Sequence, residues 1–191
     1  MTPDEINSEA AAIWLAERRE RLVANLLKNR PAVFAGPGDL DPDVMTWARM
    51  LAAGKCRNLI VTGPVGTGKT WAVWKATEVA VRSGYEGRVV VTTAAKLRRA
   101  VAPATADPAA FARCCEAGLL AVDDLGAFGL SEWDLDHLAE LADARWGAQS
   151  PTVITSNTTD LRGLLGPRIS SRLADGALVV EMDGPDRRRN P

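Results

Sequence analysis

The amino-acid sequence predicts an α/β fold with a parallel sheet covered by helices on both faces. Two observations carry this. Short apolar runs such as NLIVT (58–62), RVVVT (88–92) and TVITS (152–156) alternate with segments of helical periodicity. Runs without polar alternation suit strands buried on both faces, and strands separated by helices pair in parallel. The second observation is GPVGTGKT (63–70), which leaves the first of these runs and opens a helical pattern. Three glycines, a lysine and a threonine cannot pack a core, so this turn is shaped around something else.

The elements follow in order. Thr2, Pro3 and Glu5 form a capping-box pattern that opens a helix running to about Asn29, before Pro31. Its apolar residues fall in two patches, Ile6-Ala10-Ile13-Trp14 and Leu22-Val23-Leu26-Leu27, separated by the charged run ERRER (17–21). This predicts a helical arm over 1–30, either packed on the body or offered to a partner. A proline- and glycine-rich connector (31–41) leads to the body of the domain, 31–191. Asp41-Pro42 starts a second helix with Val44, Trp47, Ala48 and Leu51 on one face and Gly54 beyond its end. Helices are expected over 69–83, 94–102 and about 107–117, and LLAVDD (119–124) is the third strand. Ser131 and Asp134 cap a helix with Leu135, Leu138, Ala139, Ala142 and Trp146 inward. ALVVEM (177–182) closes the alternation.

Bulk properties exclude several classes. The 191 residues suit one domain, or one domain with a short arm, and 47% hydrophobic with 25% charged residues is ordinary globular usage. No apolar run approaches the roughly 20 residues of a membrane span, and the N-terminus lacks the pattern of a secretory signal. A cytoplasmic protein without a membrane partner is expected. Cys56, Cys114 and Cys115 have neither disulfide-framework nor metal-site spacing and are expected reduced. His137 is expected at the surface. A formal net charge of -1 argues against a protein living mainly on nucleic acid backbone, while leaving room for a local basic face.

Gly63-x-x-x-x-Gly68-Lys69-Thr70 fits the phosphate-binding pattern G-x-x-x-x-G-K-[ST]. Glycines let backbone N–H groups turn inward around phosphate oxygens, and the helix that follows presents its positive end to the same anion. The expected nucleotide contacts are Gly63, Pro64, Val65, Gly66, Thr67, Gly68, Lys69, Thr70 and the adjacent Trp71, with Lys69 on the β- and γ-phosphates and Thr70 on Mg²⁺. A second metal partner should end a neighbouring strand. LLAVDD supplies Asp123 for the metal and Asp124 to orient or activate the attacking water. Asn157, after TVITS, is placed to position that water beside the γ-phosphate.

GPVGTGKT, LLAVDDLG and VITSNT, in that order, resemble the Walker A, Walker B and sensor 1 elements of an AAA+ ATPase. The ending DDLG is similar to the DnaC/IstB group of helicase loaders and transposition helpers, as is the later stretch GPRISSRLADGALVVEMDGPDRR. The resemblance covers about residues 31–190 and implies a P-loop NTPase sheet of five parallel strands, with TVITS between the P-loop strand and LLAVDD. By the same likeness Arg168 and Arg172 are arginine-finger box residues, Arg172 preferred, and Arg188 (or Arg187) is sensor 2. A finger implies self-assembly, since it reaches a neighbour's nucleotide; the competing reading is a solvated helix face. Asp124 stands where glutamate is usual in AAA+ proteins, and an end at Pro191 leads us to expect a truncated lid.

The function expected from this is an ATP-hydrolysing, switch-like helicase loader. Its partners would be a replicative DNA helicase, met by the N-terminal helix, and single-stranded DNA, with Lys96, Arg98 and Arg99 as candidate phosphate contacts. The alternative is an IstB-like ATPase assisting a transposase, against which the small N-terminal region counts. A small-metabolite kinase lacks an evident acceptor pocket, and an inactive scaffold would not need Lys69, Thr70 and Asp123.

Overall fold

The structure, a computed structural model, describes residues 3–127 and 129–187. Its sheet contains β1 (Asn58–Thr62), β2 (Val89–Thr93), β3 (Leu119–Leu125), β4 (Thr152–Ser156) and β5 (Ala177–Glu181). All pairs are parallel in the order β2-β3-β4-β1-β5, so β4 lies between β1 and β3 as the resemblance implies. The helices are α1 (Pro3–Lys28), α2 (Pro42–Ala52), α3 (Lys69–Arg82), α4 (Ala94–Val101), α5 (Pro108–Cys115), α6 (Glu132–Gly147) and α7 (Leu161–Ala174). A short 3-10 turn, Ala32–Phe34, interrupts the connector. The expected capping box falls on Thr2 and the Glu5 side chain, which lie outside the described residues and side chains. None of the described helices is long and apolar enough to cross a membrane.

Strand pleating explains why the central strands are apolar throughout. Leu59 and Val61 of β1 join Trp47, Ala48, Val73, Ala76 and Ala80 of α2 and α3 in one core. Ile60 points the other way, into a second core with Leu97, Leu141, Ile169 and Leu173 of α4, α6 and α7. Both faces are therefore covered, and β1 is buried at every position.

Two elements depart from the pattern reading. On α6 the inward place expected for Trp146 belongs to Arg145: Trp146 is exposed, whereas the arginine is buried. The guanidinium donates to the carbonyls of Cys114, Cys115, Ala117 and Pro151 and to the Thr152 hydroxyl, which offsets its desolvation. Burial pulls its pKa down to about 10. The second is α7, which the pattern reading leaves unassigned because Gly163, Gly166 and Pro167 interrupt its periodicity. It bends at Gly166 (φ 76°, ψ 167°), and its buried Leu161, Leu165, Ile169 and Leu173 still reach the core. His137 is half-buried, its Nδ1 2.8 Å from the Trp133 carbonyl and its ring against Trp133 and Phe111. The three cysteines are free thiols.

Candidate nucleotide-binding site

β1 delivers the chain to the glycine-rich loop at the carboxyl edge of the sheet. Gly63 (φ 136°) cannot be replaced without moving backbone, because a Cβ there would lie 2.1 Å from the Met182 carbonyl oxygen. The Thr67 hydroxyl, buried, donates to the Pro64 carbonyl at 3.0 Å and ties the loop across its own mouth. Gly68 (φ 97°) caps α3 in the left-handed conformation and aims the helix N-terminus at the loop interior. Lys69 donates to the carbonyls of Gly63 (2.6 Å) and Pro64 (2.7 Å), so its ammonium is held over the loop that would hold phosphate. Pro64 and Val65 form the exposed tip.

The acids come from an irregularity in β3. Val122 pairs with Ile154 and Leu125 with Ser156, leaving Asp123 and Asp124 together opposite Thr155. This bulge, with Asp124 at φ 62°, sets the two acids on consecutive positions at the sheet edge. Thr155 fills the gap: its hydroxyl donates to Asp123 Oδ1 at 2.7 Å and accepts from the Asp124 N–H at 2.7 Å. Thr70 donates to both Asp123 carboxylate oxygens, at 2.9 and 3.0 Å. Asn157 Nδ2 donates to Asp124 Oδ1 at 3.1 Å, which joins the candidate sensor to the candidate water-orienting acid. Burial pushes the Asp123 carboxyl above the ordinary range, opposed by the Thr155 and Thr70 hydroxyls and by Lys69.

This donor set fits Mg²⁺. A carboxylate and a hydroxyl side by side are the hard oxygen ligands it takes, usually one or two from protein and the rest from phosphates and water. Among the described residues no cluster of three His, Cys, Asp or Glu exists that would suit a soft metal cage.

Two flanking segments close on the loop. Trp71 Nε1 donates to the Gly36 carbonyl at 3.0 Å, and its ring lies so close to Gly38 that a Cβ there would come within 3.0 Å. The connector is thereby fastened beside the start of α3. After β5, the Arg187 N–H donates to the Gly66 carbonyl at 3.0 Å, the Asp186 carboxylate abuts Gly66, and the Arg187 side chain abuts Gly68. Of the two sensor 2 candidates, Arg187 thus lies at the loop, and Arg188 is outside the described residues. Sequence reasoning missed Thr155 and Asp186. Neither carries a motif, and only strand order places them here.

The arginine pair lies at the other end of α7. Arg168 Nη2 is 2.5 Å from Asp143 Oδ2, and Arg172 Nη1 pairs with Asp143 Oδ1. On α4, Arg98 pairs with Asp134 at 3.2 Å, while Lys96 and Arg99 are exposed. The second half of α1 packs on α3 through buried Val23 and Leu26, with Arg18–Glu86 and Glu20–Arg82 ion pairs beside them. Its earlier turns expose Ile13, Trp14 and Leu15.

Comparison with known proteins agrees with this geometry. The profile of the family described as IstB-like ATP binding protein matches residues 39–162, well over half of the chain. No curated protein sequence matches it. Among solved structures, the DnaC helicase loader superimposes with a TM-score of 0.66 at 16% identity, covering 78% of this chain and 96% of that one. DnaI gives 0.64 at 20% identity, covering 85% and 89%. AMPPCP-bound DnaA from Aquifex aeolicus gives 0.61 at 19% identity, covering 74% and 45%. At these identities the likeness is one of fold.

Proposed function

This chain belongs to the IstB-like ATP-binding protein family, in the DnaC/IstB group of AAA+ proteins, and on that premise we propose that it is an ATP-hydrolysing helicase loader. The observation that carries hydrolysis is the chain of contacts Thr70–Asp123–Thr155–Asp124–Asn157, which joins the phosphate loop to an acid and an amide. The glycine-rich loop, the N-terminus of α3 and Lys69 bind the triphosphate. Thr70 and Asp123 would hold Mg²⁺, which when bound would supply charge neutralisation to the phosphates. Asp124 accepts a proton from the attacking water, and Asn157 fixes both the acid and the water by its amide. Arg187 closes over the loop toward the phosphates. Arg172, with Arg168 beside it, serves the nucleotide of a neighbouring copy.

The loader reading adds a partner. α1 has one half anchored on α3 and presents Ala10, Ile13 and Trp14 on the other, exposed at positions i, i+3 and i+4 that share one face, the spacing that helix-in-groove contacts use. We assign it to a replicative helicase, making 1–30 the partner-binding arm and 31–191 the ATPase domain. Lys96 and Arg99 are the candidate contacts to single-stranded DNA, Arg98 being engaged by Asp134.

The test is capture of purified replicative helicase by the full chain, with and without ATP and Mg²⁺. Trp14→Ala should lose capture while keeping ATP affinity, and Lys69→Ala should keep capture but lose its dependence on ATP. Helicase indifference combined with capture of a transposase would replace the loader with a transposition helper.

A further inference from the structure

The two arginines that the proposed function directs to a neighbour's phosphate share a single carboxylate in this chain. Asp143, on α6, spends Oδ2 on Arg168 and Oδ1 on Arg172. Their surroundings differ. The Arg168 side chain is 68% exposed, whereas that of Arg172 is 23% exposed, with its guanidinium 5.4 Å from the centre of the Trp146 ring. The ring is fixed in turn: Trp146 Nε1 donates to Asp175 Oδ2 at 2.8 Å, and Arg57 holds the same oxygen at 2.6 Å. This also accounts for Trp146 standing outside the core.

We infer that Asp143 is the positioning residue for Arg172 in its action on the neighbouring copy, an inference that rests on the finger reading above. An arginine side chain has long rotameric freedom, and the planar fork is effective only when that freedom is removed beforehand. Asp143 takes one corner of the guanidinium, Nη1, and Trp146 takes its face. Among the described residues no acceptor meets Nε or Nη2 of Arg172. The remaining edge is therefore the part left for an incoming phosphate oxygen, already oriented by α6. Arg168, on the second carboxylate oxygen, balances the charge of Asp143 and keeps it from turning away.

The test uses full-length chains mixed in defined ratios. Acceptor subunits carry Arg172→Ala and keep an intact phosphate loop; donor subunits carry Lys69→Ala and keep Arg172. Turnover of the mixture then reports an arginine acting in trans. Adding Asp143→Asn to the donor should lower that turnover about 10-fold or more, the scale expected when a catalytic group is displaced by about an ångström, with KM for ATP unchanged. Adding Asp143→Asn to the acceptor should change nothing, and Asp143→Glu in the donor should recover most of the loss. A residue that merely clamps α6 to α7 would affect donor and acceptor alike. Equal loss in both positions, or an Asp143→Asn donor that rescues as well as or better than its parent, overturns the assignment. Thermal melts and sedimentation check that each variant folds and co-assembles; where Asp143→Asn does not fold, Asp143→Ser carries the same comparison. If the simple Lys69→Ala donor rescues nothing at any ratio, the finger reading itself fails, and the role of Asp143 falls with it.

Discussion

Replacing Thr155 by valine keeps the shape of a side chain that is 1% exposed and removes one oxygen. That oxygen makes two contacts of 2.7 Å, one to the Asp123 carboxylate and one from the Asp124 N–H. A hydrogen bond to a charged group contributes about 1.5–3 kcal/mol, and an orphaned, partly buried N–H costs up to about 1–3 kcal/mol. Water can reach part of this edge, so the expected loss is about 2–4 kcal/mol. At roughly 2–4 °C per kcal/mol for a chain of this size, the melting temperature should fall by about 5–15 °C. Function should suffer separately. Thr155 bonds both the acid proposed to hold the metal and the acid proposed to orient the water without itself holding either, and losses at such supporting positions are about 10- to 100-fold. Thermal melting by circular dichroism and steady-state phosphate release measure the two effects. Thr155→Ser, which restores the hydroxyl, should recover the turnover and most of the stability. A valine variant that melts within about 2 °C of the parent and hydrolyses ATP at the parental rate would refute the coupling drawn here.

Other outcomes follow from the same geometry. Asp124→Asn should retain ATP binding in calorimetry and slow hydrolysis, because an amide cannot accept the proton from water; collapse of affinity with normal turnover per bound nucleotide would exchange its role with that of Asp123. The Asp123 carboxyl is raised above its ordinary range by burial. Its folded pKa thus exceeds its unfolded one, so its contribution favours the fold below the ordinary carboxylate pKa and is lost as pH rises through the raised value. At neutral pH without metal, Asp123→Asn should therefore melt higher than the parent, and addition of Mg²⁺ and ATP should raise its melting temperature less than it raises the parent's. Arg145→Met should lower stability by about 2–4 kcal/mol in urea titration, since the carbonyls of Cys114 and Ala117 lose their buried donor. Arg145→Lys, which cannot span the same set of acceptors, should recover only part of that.

Much of this protein was legible in its sequence because the signals are local. Apolar runs of strand length name the strands, Gly63, Gly66 and Gly68 name the phosphate loop, and Ser131 with Asp134 caps α6 as their spacing predicts. The P-loop and the acid pair are readable because backbone conformation and ligand chemistry restrict which residues stand at neighbouring positions. Three arrangements depended on the tertiary structure. A bulge opposite Thr155 sets Asp123 and Asp124 at the sheet edge, and it exists only because β3 lies beside β4. Arg145 replaces Trp146 in the interior because carbonyls from the ends of α5 and the turn before β4 converge there, and no helical period records acceptors supplied by other segments. Asp143 meets Arg168 and Arg172 across 25 and 29 positions of chain because α6 and α7 pack side by side. A periodic pattern tells which face of an element is apolar; which polar group waits opposite that face is set by the partner element, and that pairing is settled when the sheet order brings distant segments together.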